Sequence, residues 1–103
     1  MSLVENLEAM LAAGREDALL RFSLGSAYLK DQPALAAEHL ARAVELNPEY
    51  SAAWKIYARA LAASGHDDEA RKAYALGIAA AKRNGDIQAA KEMTVFLRRL
   101  ERQ

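Results

Sequence analysis

The sequence predicts an all-α fold built from antiparallel helix hairpins, and three features of the chain support this fold class. Apolar residues recur at helical spacing through every segment, and no stretch alternates with the two-residue period of a strand. Short loops separate the predicted helices, and loops of that length join neighbouring helices as antiparallel pairs. A pattern of about 33 residues repeats along the chain, which favours stacked hairpins over a simple bundle.

Capping and breaking residues give the approximate bounds of six helices, taken in order. Ser2 with Glu5 three residues later is a capping box at the start of the first helix. Pro33 suits the first turn of the third helix, and Pro48 cannot continue that helix. Gly65, in the stretch SGHD, suits the left-handed residue that ends the fourth helix. The helices are predicted at about residues 2–13, 17–30, 33–46, 50–63, 67–82 and 86–101.

Composition places the chain among ordinary globular domains. It has 103 residues, of which 52% are hydrophobic and 27% are charged, enough for one domain with one modest core. The formal net charge is zero, so any electrostatic preference for a partner must come from the distribution of charge along the chain. The absence of cysteine excludes disulfides and thiolate metal sites.

Residues of the second and third predicted helices recur one hairpin later. Gly25 corresponds to Ala58, 33 residues further on, and Ala36 corresponds to Ala70, 34 residues further on. The difference of one residue falls in the turn between the two helices of each hairpin. The matched pairs are Leu24 with Tyr57, Gly25 with Ala58, Tyr28 with Leu61, Ala36 with Ala70, Leu40 with Tyr74 and Ala43 with Gly77.

This layout resembles the tetratricopeptide repeat family, in its small bacterial-type members, over about residues 18–84. The stretch WKIYARALAASGHDDEARKAY carries the resemblance, with Trp54 at its start and a small residue at Ala58. LGSAY and LNP of the first repeat also match, although Arg21 stands where tryptophan is usual and one turn residue is missing. The resemblance implies a right-handed α-solenoid with a concave groove. The first helix of each hairpin, which we call the first-type helix, lines this groove. The expected parts of the solenoid are a half-repeat helix at 2–14, repeats at 17–48 and 49–84, and a capping helix at 86–101.

The resemblance also gives a reason for Gly25. A glycine inside a helix costs roughly 0.5 to 1 kcal/mol relative to alanine, and the family keeps a small residue where the two helices of a hairpin approach most closely. We therefore expect Gly25 to lie near Ala36, and Ala58 to lie near Ala70. Thr94, the matching residue of the last helix, is larger because no partner helix is expected after it, so the array is expected to end there.

Each end of the predicted stack carries one unpaired helix, as the caps of repeat proteins do. The first helix presents an apolar stripe formed by Leu3, Leu7, Met10 and Leu11. The last helix is charged on the side expected to face solvent, which carries Glu92, Arg98, Arg99 and Glu101.

In the resembled family, the first-type helices line the groove with residues off their packed stripes. Residues 18–30 and 51–63 each contain two bases and no acid, so the groove is expected to be basic. Lys55 and Arg59 lie one turn apart and together suit a carboxylate, although both are equally well explained as solvated charges. Relatives that grip C-terminal carboxylates have asparagine where this chain has Ser26 and Arg59, which departs from such a clamp. The groove residues carried over are Leu19, Phe22, Ser26, Leu29, Lys30, Ala52, Lys55, Arg59, Ala62, Ala63, Lys91, Val95, Arg98 and Arg99.

These features predict a non-catalytic protein-protein interaction module that holds an acidic peptide or protein segment in the groove. Lys55, Arg59 and Lys91 are expected to bind carboxylates of the partner. Phe22 and Leu29 are expected to supply the apolar contact.

A second hypothesis is a self-associating structural protein without a peptide ligand. Leu19, Phe22 and Leu29 form an apolar stripe that either meets another copy, binds a peptide or packs against the first helix. A monomer or a weak homodimer is expected. Tyr50 is expected either at the edge of the groove or in a packing role in the turn.

Other classes of function find little support in the sequence. No phosphate-binding glycine loop or nucleophile motif occurs, so we expect no enzyme activity and no cofactor. His39 and His66 lack companion ligands at metal spacing and are expected at the surface. The zero net charge argues against nucleic acid, and no apolar run reaches the roughly 20 residues that a membrane span needs. The first residues do not resemble a signal peptide, so a cytoplasmic protein is expected.

Overall fold

Six α-helices make up the fold in the computed structural model, which describes residues 2–103. Their bounds follow the predicted ones closely, except that the second helix ends at Tyr28, before the predicted residue 30. No strand occurs within the described residues. The helices are α1 (Leu3–Ala12), α2 (Ala18–Tyr28), α3 (Pro33–Leu46), α4 (Ser51–Ala63), α5 (Asp67–Arg83) and α6 (Ile87–Glu101).

Side-chain caps and a left-handed glycine fix several helix ends. The predicted capping box is confirmed, because the Glu5 amide donates to Ser2 Oγ at 3.1 Å and the Ser2 amide donates to Glu5 Oε1 at 3.2 Å. Asp17 caps α2, with its carboxylate accepting from the Leu20 amide at 2.8 Å. Gly65 has the expected positive φ of 85° after α4, a conformation that costs other residues steric energy.

The helices form two layers. Each helix packs against the next, and α4 also contacts the alternate helices α2 and α6. These three helices make up the inner layer, which corresponds to the first-type helices of the sequence prediction. The outer layer consists of α1, α3 and α5, whose backbones lie further apart among residues 2–103, although His39 Nε2 of α3 lies 3.7 Å from Glu8 Oε1 of α1. The resulting stack of hairpins measures 41 × 28 × 18 Å.

Small residues dominate the core between the layers. Alanines such as Ala36, Ala58 and Ala70 have no exposed surface, so the helix backbones approach closely. The largest cluster of buried residues joins α4, α5 and α6 and includes Tyr74 and Met93. The largest fully buried side chains are Leu20, Leu24, Leu40 and Met93.

Gly25 lies where α2 and α3 approach each other, as predicted. A β-carbon built there would overlap the side chain of Leu40, with Leu40 Cδ2 only 2.8 Å away. The contact is therefore with Leu40, one turn further along α3 than the expected Ala36. Gly77 in α5 is equally crowded, because its β-carbon would lie 2.6 Å from both Trp54 Cβ and Met93 Sδ.

The apolar stripe of the first helix is only partly covered. Leu7 is buried, and it packs with Leu11 against side chains of α2. Leu3 is 67% exposed and Met10 is 41% exposed. The physical reason is that no helix among residues 2–103 covers the side of α1 on which these two side chains lie.

The single tryptophan lies on the outer surface of the stack. Trp54 Nε1 donates to the backbone oxygen of Pro48 at 2.7 Å, and its ring centroid is 6.1 Å from that of Tyr57. Both rings line an open cavity of about 310 Å³ whose wall also contains Leu76 and Lys72 of α5. We call it the outer cavity.

Candidate functional site

A cavity between the end of α2 and the middle of α4 contains the densest group of predicted groove residues. It has a volume of about 460 Å³, and we call it the groove cavity. Lys30 and Arg59 supply two positive charges, and no acidic residue among those described lines the cavity. All its lining residues were predicted from the sequence: Ser26, Leu29, Lys30, Arg59 and Ala63.

Arg59 is oriented by an aromatic contact that the sequence did not reveal. Its Cζ atom lies 5.9 Å from the ring centroid of Phe96 in α6, and Arg99 Cζ lies 5.5 Å from the same centroid. Phe96 in turn stacks on Tyr74, with 6.0 Å between the ring centroids. The guanidinium group at the groove cavity is thus held by a ring that is itself packed against the core.

Lys55 differs from the expectation because it already has a counter-ion. Its Nζ atom lies 3.6 Å from Glu92 Oε2 in α6. The Glu92 side chain is 42% exposed, so it remains open to solvent while it pairs with Lys55 of α4. A partly exposed ion pair of this kind contributes little to stability, but it lowers the attraction of Lys55 for another anion.

The predicted apolar stripe is not continuous on the surface. Phe22 is half-buried, and its ring centroid lies 5.0 Å from that of Tyr50, which packs as a staple in the turn before α4. Leu29 is half-buried beside the cluster around Leu40, whereas Leu19 is 57% exposed. Of the three stripe residues, only Leu29 lines the groove cavity.

Lys91 and Arg98 line a different cavity from the other predicted site residues. This cavity has a volume of about 390 Å³ and lies on α6, with Lys82 of α5 at its edge. Its apolar lining includes Ile87, Ala90 and Val95. We call it the terminal cavity, because it lies at the last hairpin of the stack.

The repeat geometry is matched by known proteins. A family model described as tetratricopeptide repeat matches residues 27–93, which run from the end of α2 to the first half of α6. The chain belongs to the tetratricopeptide repeat family. Members are in general non-catalytic modules that bind other proteins, so this chain is a protein-protein interaction module.

Individual relatives agree with the family assignment over nearly the whole chain. The TPR repeat-containing protein PA0015 of Pseudomonas aeruginosa is 54% identical over 101 residues, which cover 97% of this chain and 96% of that protein. The solution structure of protein BPP2914 from Bordetella parapertussis matches 99% of this chain and 90% of its own, with 46% identity and a TM-score of 0.83.

Two further solved structures share the tetratricopeptide fold at lower identity. A tetratricopeptide repeat domain protein from Salinibacter ruber is 25% identical, with a TM-score of 0.76 over 84% of this chain and 88% of its own. The crystal structure of MamA protein is also 25% identical, with a TM-score of 0.73 over 96% of this chain and 57% of its own.

Arg21, which replaces the usual tetratricopeptide tryptophan, points away from the groove. Its guanidinium group donates to both carboxylate oxygens of Glu16 at 2.9 and 3.0 Å, and lies 3.0 Å from His39 Nδ1. Arg21 is one of the two bases that were expected to make the groove basic in the first repeat. It instead forms a contact between α2 and α3. Lys30 alone of that segment carries positive charge to the groove cavity.

His39 is buried, so the expectation of a surface residue is wrong. It is 7% exposed and its ring stacks on Tyr28, with 5.7 Å between centroids. The reason is that His39 lies on the side of α3 that faces α2, where Tyr28 also donates to Glu8 Oε1 at 2.8 Å. His66 is exposed, as predicted. No group of three potential metal ligands occurs within the described residues, and none of their helices has the length and apolar character to cross a membrane.

The buried histidine predicts a pH dependence of stability. Burial and the neighbouring Arg21 lower the pKa of His39, against the opposing charge of Glu8, so the folded protein favours the neutral ring. The unfolded chain takes up a proton near the ordinary pKa of about 6.5. The free energy of unfolding is therefore expected to be highest above pH 6.5 and to fall as the pH drops below it.

Urea unfolding at a series of pH values between about 5 and 8 measures this effect. His39→Gln is expected to flatten the slope in that window, and His66→Gln, at the exposed histidine, is the matched control. Parallel profiles for the wild type and both variants would contradict the assignment to His39.

Proposed function

We propose that the chain acts as a non-catalytic adaptor that binds an acidic segment of a partner protein along the inner layer. The observation that carries this proposal is the groove cavity, where Lys30 and Arg59 meet beside an apolar lining without an acidic residue among those described. Positive charge next to apolar surface suits a peptide in which acidic side chains alternate with apolar ones.

The binding mode assigns a separate task to each side of the groove cavity. A partner carboxylate accepts hydrogen bonds from the Arg59 guanidinium group and pairs with Lys30. An apolar side chain of the partner packs on Leu29 and Ala63, and the Ser26 hydroxyl offers a hydrogen bond to its backbone. Phe96 holds Arg59 in place before binding, which reduces the entropy lost when the peptide is bound.

The remaining predicted site residues have lesser tasks in this mode. Lys55 contributes little while Glu92 neutralises it. Phe22 contributes mainly packing, because Tyr50 covers its ring. Lys91 and Arg98 belong to the terminal cavity and make no contact with the peptide.

Fluorescence anisotropy with a labelled peptide rich in glutamate and leucine tests the proposal. Arg59→Ala is expected to weaken binding by roughly tenfold, since it removes a charged hydrogen bond from an interface. Lys30→Ala is expected to have a smaller effect, and higher salt is expected to weaken wild-type binding. Glu92→Gln is expected to tighten binding, because it releases Lys55.

The matched control is Lys72→Ala, which removes a lysine from the outer cavity and is expected to leave the affinity unchanged. A peptide with glutamine in place of glutamate controls for apolar binding alone. The proposal fails if the double variant of Lys30 and Arg59 binds the acidic peptide as tightly as the Lys72 variant does.

A further inference from the structure

The two ends of the solenoid carry complementary helix types. Outer-layer helices α3 and α5 each pack against the inner helix that precedes them, namely α2 and α4. Within residues 2–103, α1 is an outer-layer helix without such a preceding inner helix, and α6 is an inner-layer helix without a following outer helix. An α6 placed beside the α1 of another copy would make a pair of the same kind as α2 with α3.

The α6 end offers an apolar surface with a hollow in it. The terminal cavity of about 390 Å³ lies there. Two of its lining residues are large and open to solvent, since Ile87 is 55% exposed and Val95 is 46% exposed. Thr94, also in the lining, is larger than Gly25 and Ala58 at the matching positions, so a helix that covers α6 lies further from it than α3 lies from α2.

The α1 end offers apolar side chains that project outward. Leu3 and Met10 are seven residues apart on one side of the helix, and both are exposed. The residues 33 positions further on are Ala36 and Ala43 of α3, which have no exposed surface. The positions that carry buried alanines in α3 thus carry large, solvent-exposed side chains in α1.

Charge also distinguishes the two ends. Lys82, Lys91 and Arg98 line the terminal cavity, whose described lining contains no acid. In contrast, α1 carries Glu5 and Glu8 and no base. The next base along the chain, Arg15, donates to Met10 Sδ at 3.4 Å, and its charge is paired with Asp17. If two copies met through their α6 ends, the three bases of each terminal cavity would face one another. Contact between the α1 end of one copy and the α6 end of another brings opposite charges together.

We propose that copies of this chain associate head to tail, with the α1 helix of one copy covering the terminal cavity of the next. Leu3 and Met10 of the first copy pack against Ile87 and Val95 of the second. The contact is heterologous, so it leaves a free α1 and a free α6 at the ends of every chain of copies and extends into longer assemblies. The groove cavity lies on neither surface and stays open to a peptide in such an assembly.

Sedimentation velocity over a range of protein concentrations is the test. Wild-type protein is expected to sediment faster as its concentration rises, and higher salt is expected to oppose this change. Leu3→Lys and Val95→Glu, each at an exposed residue, are expected to weaken self-association by roughly tenfold or more, because each replaces an apolar contact with a charge that faces charges of the same sign. Ala75→Glu, at an exposed residue of α5, is the matched control.

Mixing the two variants identifies the geometry. Leu3→Lys keeps an intact α6 end and Val95→Glu keeps an intact α1 end, so an equimolar mixture is expected to form dimers that stop growing. Circular dichroism confirms that each variant folds, and Met10→Lys with Ile87→Glu is the replacement pair if one does not. The proposal is overturned if wild-type protein is monomeric at every concentration, if either variant associates as strongly as wild type, or if the mixture forms no dimer.

Discussion

Replacing Gly25 with leucine is expected to lower the free energy of unfolding by about 3 kcal/mol, which is a large share of the stability of a domain of this size. Leu40, which is completely buried, occupies the space that any side chain at position 25 would need. The larger side chain must therefore push α2 and α3 apart. Urea unfolding followed by circular dichroism measures the loss, and Thr94→Leu, on the open side of α6, is the control with a mild expected effect.

A double-mutant cycle shows whether Leu40 alone is responsible. Gly25→Ala is expected to destabilise the wild-type protein by about 1 to 2 kcal/mol. In a Leu40→Ala background the same change is expected to stabilise, since the new methyl group fills vacated space and alanine forms helix better than glycine by about 0.5 to 1 kcal/mol. The same sign in both backgrounds would refute the contact.

Truncating Met93 to alanine is expected to cost about 2 to 4 kcal/mol, because it leaves a cavity where three helices meet. Met93 is fully buried in the cluster that joins α4, α5 and α6, and its sulfur lies close to Gly77. Loss of this side chain is expected to loosen α6 and, with it, Phe96 and the orientation of Arg59. Denaturant unfolding measures the cost.

Leu76→Ala is the matched control, since it removes an apolar side chain that is more than half exposed on α5. Its expected cost is below about 1 kcal/mol. Similar losses for the Met93 and Leu76 variants would show that α6 is not held through this contact.

The helices and their order followed from the sequence because their signals are local. A capping box at Ser2, a proline at position 33 and a left-handed glycine at position 65 act within a few residues of where they stand. The small residue at Gly25 was also informative, since the recurrence at Ala58 linked it to the repeat. The contact of Gly25 with Leu40 could not be predicted, because the axial offset between two helices depends on how all their side chains fit.

The candidate site was predictable as a set of positions and not as a set of contacts. Ser26, Leu29, Lys30 and Arg59 do line one cavity, as expected for residues on neighbouring inner helices. The pairing of Lys55 with Glu92 joins residues far apart in the chain, and no spacing rule connects them. The same holds for Arg21 and His39, whose polar contact stands where Trp54 packs in the second repeat.

The position of Trp54 determines which optical experiments can report on this protein. Its indole is bonded to Pro48 and its β-carbon faces Gly77, so its emission depends on the packing of α4 against α5. The ring lines the outer cavity, which shares no lining residue with the groove cavity of Lys30 and Arg59. Intrinsic fluorescence is therefore expected to report unfolding of the second repeat. It is not expected to change when a peptide binds in the groove, so binding experiments need a labelled peptide.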